Sequence, residues 1–171
     1  MRRCGSGFAA ANNLAVSTGR LGDLAQAERY AARALAIREK LTPSSPAIIP
    51  ALLTYGNLIY VRGNYAGAEA AFLRARKILE KTRPESIELA KTLHNLGVLA
   101  NERGDQEAAK SLFQRELAIF EKIDPSGSLL RDSLMGLGEV ALRQGKGHEA
   151  EELWGRALAI AEKLHPKGPN S

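Results

Sequence analysis

The side chains best suited to bind a metal or to attack a substrate are three histidines and one cysteine. His94, His148 and His165 lie far apart, and none is followed three or four residues later by another histidine or a cysteine. No neighbour marks Cys4 as an activated thiol. These residues therefore predict neither a metal site nor a nucleophile.

The segment Gly145-Lys146-Gly147 comes nearest to a phosphate-binding loop. It lacks the upstream glycine and the Ser or Thr that follows the lysine in such loops. The numerous acidic residues fit exposed helix faces. We therefore predict a non-catalytic protein that binds no cofactor and no metal.

The composition is that of an ordinary folded protein. Of the 171 residues, 44% are hydrophobic and 25% charged, while only 5% are aromatic, which favours packed helices over sheets. A single cysteine forms no internal disulfide, and no apolar run approaches the roughly 20 residues that span a bilayer. The net charge of +5 is spread over alternating acidic and basic residues. We therefore expect a cytoplasmic protein with no nucleic-acid or membrane partner.

The chain repeats itself with a period of 41 residues. Seven columns, two of them the adjacent Glu-Lys pair, carry the same residue type in four copies, without insertion. Three of these columns are Gly22, Gly63, Gly104 and Gly145, then Ala27, Ala68, Ala109 and Ala150, and then Ile37, Ile78, Ile119 and Ile160. Such a period is typical of repeat proteins in which each unit packs on the next.

Each copy is predicted to form two helices. In the third copy, apolar residues recur at three- and four-residue spacing from about Ser86 to Arg103, and Ser86 is a suitable N-cap. Gly104 ends this helix, Asp105 caps the next one, and the second apolar stripe runs to about Ile123. Asp23 and Asn64 are the corresponding caps in the first two copies.

The predicted fold class is an all-α, right-handed α-solenoid of four antiparallel helix-turn-helix repeats. The repeats cover about 5–43, 44–84, 85–125 and 126–166 of a single repeat domain, followed by a tail, 167–171. A column of small residues in the first helices, Gly56, Gly97 and Gly138, allows the two helices of a copy to approach closely.

The motifs resemble those of the tetratricopeptide repeat family. The third copy carries Leu93-x-x-Leu96-Gly97, Gly104-Asp105, Ala109-x-x-x-Phe113 and Pro125. Its long period and the segment Arg33-Ala34-Leu35-Ala36-Ile37-Arg38-Glu39-Lys40 are similar to kinesin light chain arrays and to arrays of microbial signalling proteins with CHAT or nucleotide-binding effector domains. This resemblance implies a helical scaffold that binds protein partners.

Two features depart from the repeat. Glu116 replaces the alanine found in the other copies, so we expect its carboxylate to reach solvent or a cation. Pro46 and Pro50 lie at the start of the second copy's first helix, so we expect a late start or a kink there.

The first helices should line a concave face, where the copies differ. The resemblance implies that asparagines of this face hold a peptide backbone. Asn13 and Asn95 match that column, whereas Thr54 and Gly136 do not, and the alternative is that the asparagines merely solvate the groove. The predicted groove residues are Asn13, Arg20, Asn57, Tyr60, Lys91, His94, Asn95, Asn101, Asp132, Glu139 and Arg143.

The sequence therefore predicts a protein or peptide partner of unknown identity in this groove. Two alternatives stay open. The repeats could associate end to end into homo-oligomers through uncapped ends, as a regulatory fragment of a larger signalling protein. They could instead bind RNA, although Asp132 and Glu139 in the groove oppose that hypothesis.

Overall fold

The computed structural model describes residues 3–43, 45–124, 127 and 129–164, with side chains from Gly7 onward. Within these residues the chain forms eight α helices and no strand, so the predicted all-α fold of antiparallel helical hairpins is confirmed. The helices are α1 (Arg3–Arg20), α2 (Leu24–Leu41), α3 (Ile49–Val61), α4 (Tyr65–Thr82), α5 (Ile87–Glu102), α6 (Gln106–Ile123), α7 (Leu130–Arg143) and α8 (Gly147–Leu164). The Cys4 side chain, Pro125, His165 and the tail 167–171 lie outside the described residues.

The chain divides into two compact units, Met1–Pro84 and Glu85–Ser171. The first unit contains the hairpins α1–α2 and α3–α4, and the second contains α5–α6 and α7–α8. The second helices of the hairpins start at Leu24, Tyr65, Gln106 and Gly147, which are 41 residues apart in each case.

Each hairpin turns at a glycine in the left-handed backbone region. Gly22, Gly63, Gly104 and Gly145 have φ between +75° and +88°, where a side chain would be strained. The next residue caps the second helix in three copies, because a side-chain oxygen of Asp23, Asn64 or Asp105 accepts a hydrogen bond from the backbone N–H three residues on, at 3.0, 3.0 and 3.1 Å. The predicted turns and caps are confirmed.

The first helix of the second hairpin starts late, as the two prolines predict. Pro46–Ile48 forms a short 3-10 turn, capped by Ser45, before α3 begins at Ile49. Pro50 then lies in the first turn of α3, where its missing N–H removes no helical hydrogen bond. As a result α3 has 13 residues, against 16 in α5.

Aromatic rings explain the glycine column of the first helices. A Cβ on Gly97 would lie 2.7 Å from the Phe113 ring, and a Cβ on Gly136 of α7 would lie 2.8 Å from the same ring. Phe113, which is 1% exposed, is therefore held between two helices that must both carry glycine. The equivalent contacts are Gly56 on Phe72, at 2.6 Å, and Gly138 on Trp154, where an added Cβ would lie closer still.

Candidate functional site

In the first unit, the outward faces of α1 and α3 line an open hollow of about 440 Å³. Two of the predicted groove residues, Arg20 and Asn57, lie in its wall. Asn13 is exposed on α1 outside the hollow. Tyr60 is half-buried, with its ring 5.4 Å from that of Tyr65. The other lining residues are Ala15, Val16, Gly19, Leu24, Thr54, Leu58 and Val61, so the surface is mainly apolar.

In the second unit, α5 and α7 line a hollow of about 370 Å³, which we call the α5–α7 hollow. Four predicted groove residues meet there, namely His94, Asn101, Asp132 and Glu139. The remaining lining residues are Val98 and Glu102 from α5, Met135 and Gly136 from α7, Phe113 from α6 and Trp154 from α8. The structure therefore brings together, on one face, positions that are almost forty residues apart in sequence.

The other predicted residues of this unit lie around the hollow and not in its wall. Lys91 is exposed and Asn95 is half-buried, both on α5. Arg143 is exposed and donates hydrogen bonds from Nε and Nη2 to Glu139 Oε1, at 3.2 and 2.9 Å. Arg143 is thus paired, in a solvent-exposed contact, with a carboxylate that does line the hollow.

Glu116 is buried and faces His94, which is a cation when its ring is protonated; a cationic partner was one of the two outcomes expected for Glu116. Its residue is 1% exposed, and its carboxylate lies 3.1 Å from Nδ1 of His94. The His94 ring also packs against Phe113 with a centroid distance of 5.6 Å. A carboxylate removed from water needs such a partner, because an unpaired buried charge is strongly unfavourable.

The third hairpin is unusual in both positions of this pair. The residues equivalent to His94 and Glu116 are Leu53 and Ala75 in the second hairpin, and Met135 and Ala157 in the fourth. The first hairpin has Asn12 and Ala34 at these positions, so the third hairpin places two titratable side chains where the other three have none. This pair places a titratable group in the wall of the α5–α7 hollow.

The pKa of His94 is raised above its ordinary value. Burial of the ring lowers this pKa, but the hydrogen bond to Glu116 and the negative charges of Glu116 and Asp132 together outweigh burial. The imidazolium form of His94 is therefore more stable in the folded protein than in a free histidine, and when the ring is protonated its charge faces the Glu116 carboxylate.

Asn101 is buried, whereas the sequence predicted an exposed groove residue at this position. It is 4% exposed, because it follows Leu93 and Gly97 at four-residue spacing and so shares their inward-facing side of α5. Its Oδ1 is buried without a hydrogen-bond partner among the described residues. It nevertheless lies in the wall of the α5–α7 hollow.

Glu102 and Trp154 are site residues that the sequence did not single out. The half-buried ring of Trp154 borders the hollow, and its Nε1 donates a hydrogen bond to the Met135 carbonyl at 3.3 Å. Glu102 follows Asn101 in the last turn of α5, and no pattern in the sequence distinguishes it from other surface glutamates.

Two observations concern other kinds of site. No group of three metal-ligating side chains occurs in the part of the chain that the structure describes. Over the same residues, no helix combines the length and the apolar character that crossing a bilayer requires.

Family models decide the identity of the repeats. One tetratricopeptide repeat model matches residues 47–122, and a second matches residues 9–46 and 130–170. The chain belongs to the tetratricopeptide repeat family. Tetratricopeptide repeats are generally protein-interaction scaffolds.

Solved structures share this tetratricopeptide fold. BtubC (BKLC) from P. vanneervenii is 24% identical and matches 96% of this chain and 66% of its own, with a TM-score of 0.82. A Podosopora anserina structure with nearly identical kinesin light chain TPR-like repeats is 21% identical over 94% of this chain and 77% of that one, with a TM-score of 0.74. MamA is 17% identical over 92% of this chain and 80% of its own, with a TM-score of 0.67.

These structures show the fold of the tetratricopeptide chain and not its partner, because their identities lie below a quarter. The chain spans 66% of the length of the BtubC structure that it matches. No curated protein sequence matches it.

Proposed function

We propose that this chain is a non-catalytic interaction scaffold that receives an extended peptide or protein segment on the outward faces of its first helices. The observation that carries the proposal is that these faces line an open hollow in each of the two units, once between α1 and α3 and once between α5 and α7. Membership of a family of interaction scaffolds supports it.

The two hollows offer what a peptide requires. Exposed apolar side chains, Val16 and Val61 in the first unit and Met135 in the second, can cover apolar side chains of the guest. The asparagine amides on the same faces both donate and accept hydrogen bonds, as an extended backbone does. A cytoplasmic location forms part of the proposal, and imaging of a fluorescent fusion tests it.

RNA binding fits the second unit poorly. Three carboxylates and no lysine or arginine line the α5–α7 hollow, whereas a surface that follows a phosphate backbone needs positive charge. A gel-shift assay at low salt tests this conclusion, and retention of RNA by the chain would contradict it.

The test is a selection of peptides from a random displayed library against the immobilised chain. Each enriched peptide is then titrated by fluorescence polarisation against the wild type and against Lys91→Ala/Asn95→Ala and Asn13→Ala/Asn57→Ala. Gln114→Ala, an exposed change on α6, is the matched control.

The proposal expects enriched peptides whose affinity falls in at least one groove variant and is unchanged in the control. It is overturned if no peptide is enriched, or if every enriched peptide binds both groove variants as tightly as the wild type. Light scattering of the peptide-free chain over a concentration series separately tests the end-to-end association considered above.

A further inference from the structure

The charge of the α5–α7 hollow differs from that of the chain. Glu102, Asp132 and Glu139 line it, while its wall contains no lysine or arginine. The protein as a whole carries a net charge of +5. The hollow of the first unit has the opposite character, since Arg20 is the one charged residue in its wall. The second unit therefore offers a local negative field to a guest.

The carboxylates of the hollow can still accept hydrogen bonds from a cationic guest. Both hydrogen bonds from Arg143 end on Oε1 of Glu139, which leaves Oε2 to accept from a guest. Asp132 pairs through Oδ1 with the guanidinium of Arg131, its neighbour in sequence. Both ion pairs are exposed to solvent, and exposed pairs are weak enough for a bound guest to share or replace them.

An apolar wall lies beside the carboxylates. Met135 is 48% exposed, and the Trp154 ring is held in place by its hydrogen bond to the Met135 carbonyl. Gly136 adds no side chain between them, because the Phe113 ring excludes a Cβ there. The methylene stem of an arginine or lysine packs well on such a wall, and an indole ring attracts the charged head.

We propose that the α5–α7 hollow binds an arginine- or lysine-bearing peptide segment, with the cationic head among Glu102, Asp132 and Glu139. The stem of that side chain lies on Met135 and Trp154. This inference rests on the proposed function and adds the charge of the partner to it. His94 does not oppose the guest strongly, since its own charge is paired with Glu116.

The test uses defined probes as well as the selected peptides. Four labelled peptides share one sequence, Gly-Ala-Leu-X-Leu-Ala-Gly, and differ only in having Arg, Lys, Gln or Glu at X. They are titrated at low salt against the wild type, Asp132→Asn/Glu139→Gln, and the control Glu121→Gln/Glu152→Gln. The control removes the same two charges from exposed positions on α6 and α8.

The expected result is that the Arg and Lys peptides bind the wild type about tenfold more tightly than the Gln peptide, as two partly exposed ion pairs allow. The Glu peptide should bind most weakly. Asp132→Asn/Glu139→Gln should abolish the preference for Arg and Lys, and the control should retain it.

The inference is overturned if the wild type shows no preference for Arg and Lys, or if the control variant loses that preference as fully as Asp132→Asn/Glu139→Gln does. Its failure is distinguishable from failure of the proposed function. Library peptides that depend on Lys91 and Asn95 but carry no basic residue would contradict the charge of the partner and leave the scaffold function standing.

Discussion

Replacing His94 by leucine should destabilise the second unit by about 3 kcal/mol, the lower end of the range for breaking a buried ion pair, because His94 is itself 31% exposed. The cost arises from Glu116, which stays 1% exposed and loses the partner 3.1 Å away. The double variant His94→Leu/Glu116→Ala reproduces the Leu53 and Ala75 combination of the second hairpin. The free energy of unfolding of this double variant should lie within about 1 kcal/mol of the wild-type value, since an apolar replacement of a buried pair is often neutral or stabilising.

The assay is urea unfolding followed by Trp154 fluorescence, which reports on the second unit because the chain has one tryptophan. Below about pH 6, which is under even the unshifted pKa of histidine, the single changes His94→Leu and Glu116→Ala and the double change define a coupling energy of about 2–3 kcal/mol. His148→Leu, at a fully exposed site on α8, is the control and should change stability by less than about 0.5 kcal/mol. Additive single variants, or a His94→Leu cost as small as that of the control, would refute the reasoning.

Three further predictions, one on pH dependence and two on substitutions, test the electrostatics and the packing. The pKa of His94 is raised in the folded state, so its stabilising effect is complete below the unfolded value of about 6.5 and is lost as pH rises through the higher folded value. The wild type should therefore lose stability relative to His94→Leu/Glu116→Ala as pH rises above about 6.5, and parallel urea midpoints over that rise would contradict this. Gly97→Ala should cost about 1–3 kcal/mol by crowding the Phe113 ring, measured against the solvent-facing Ala118→Gly, and an unchanged melting temperature would show that the ring moves freely. Asp105→Ala should cost about 1 kcal/mol of unfolding free energy by removing the cap of α6, whereas Asp105→Asn should retain most of it; equal losses would argue against the cap.

The helical framework was accessible from the sequence because local rules determine it. Each turn needs a residue that tolerates positive φ, which glycine supplies. The residue after that glycine must carry a short polar side chain to cap the next helix. Both signals recur along the chain together with the apolar stripes of the helices. The late start of α3 followed from Pro46 and Pro50 for the same reason, since proline acts on its own turn. None of these predictions required knowledge of which helices touch.

The site depends on contacts between helices, and there the sequence was less informative. Glu116 stood out as a departure from the repeat, but its partner His94 is 22 residues away on another helix, and no local rule connects them. Asn101 could have been recognised as buried, because it continues the four-residue spacing of Leu93 and Gly97. The contribution of Trp154 to the hollow depends on how α8 packs beside α7, which no periodicity specifies.

The central claim is that the outward faces of the first helices form the docking surface. Its most direct test is an NMR titration of the labelled full chain with a peptide from the library selection, following backbone amide shifts. The account predicts the largest shifts along α5 and α7 at positions such as His94, Met135 and Glu139, or at the corresponding face of α1 and α3. Shifts confined to the outer faces of the second helices, for example at Ser111 and Glu152, would contradict it.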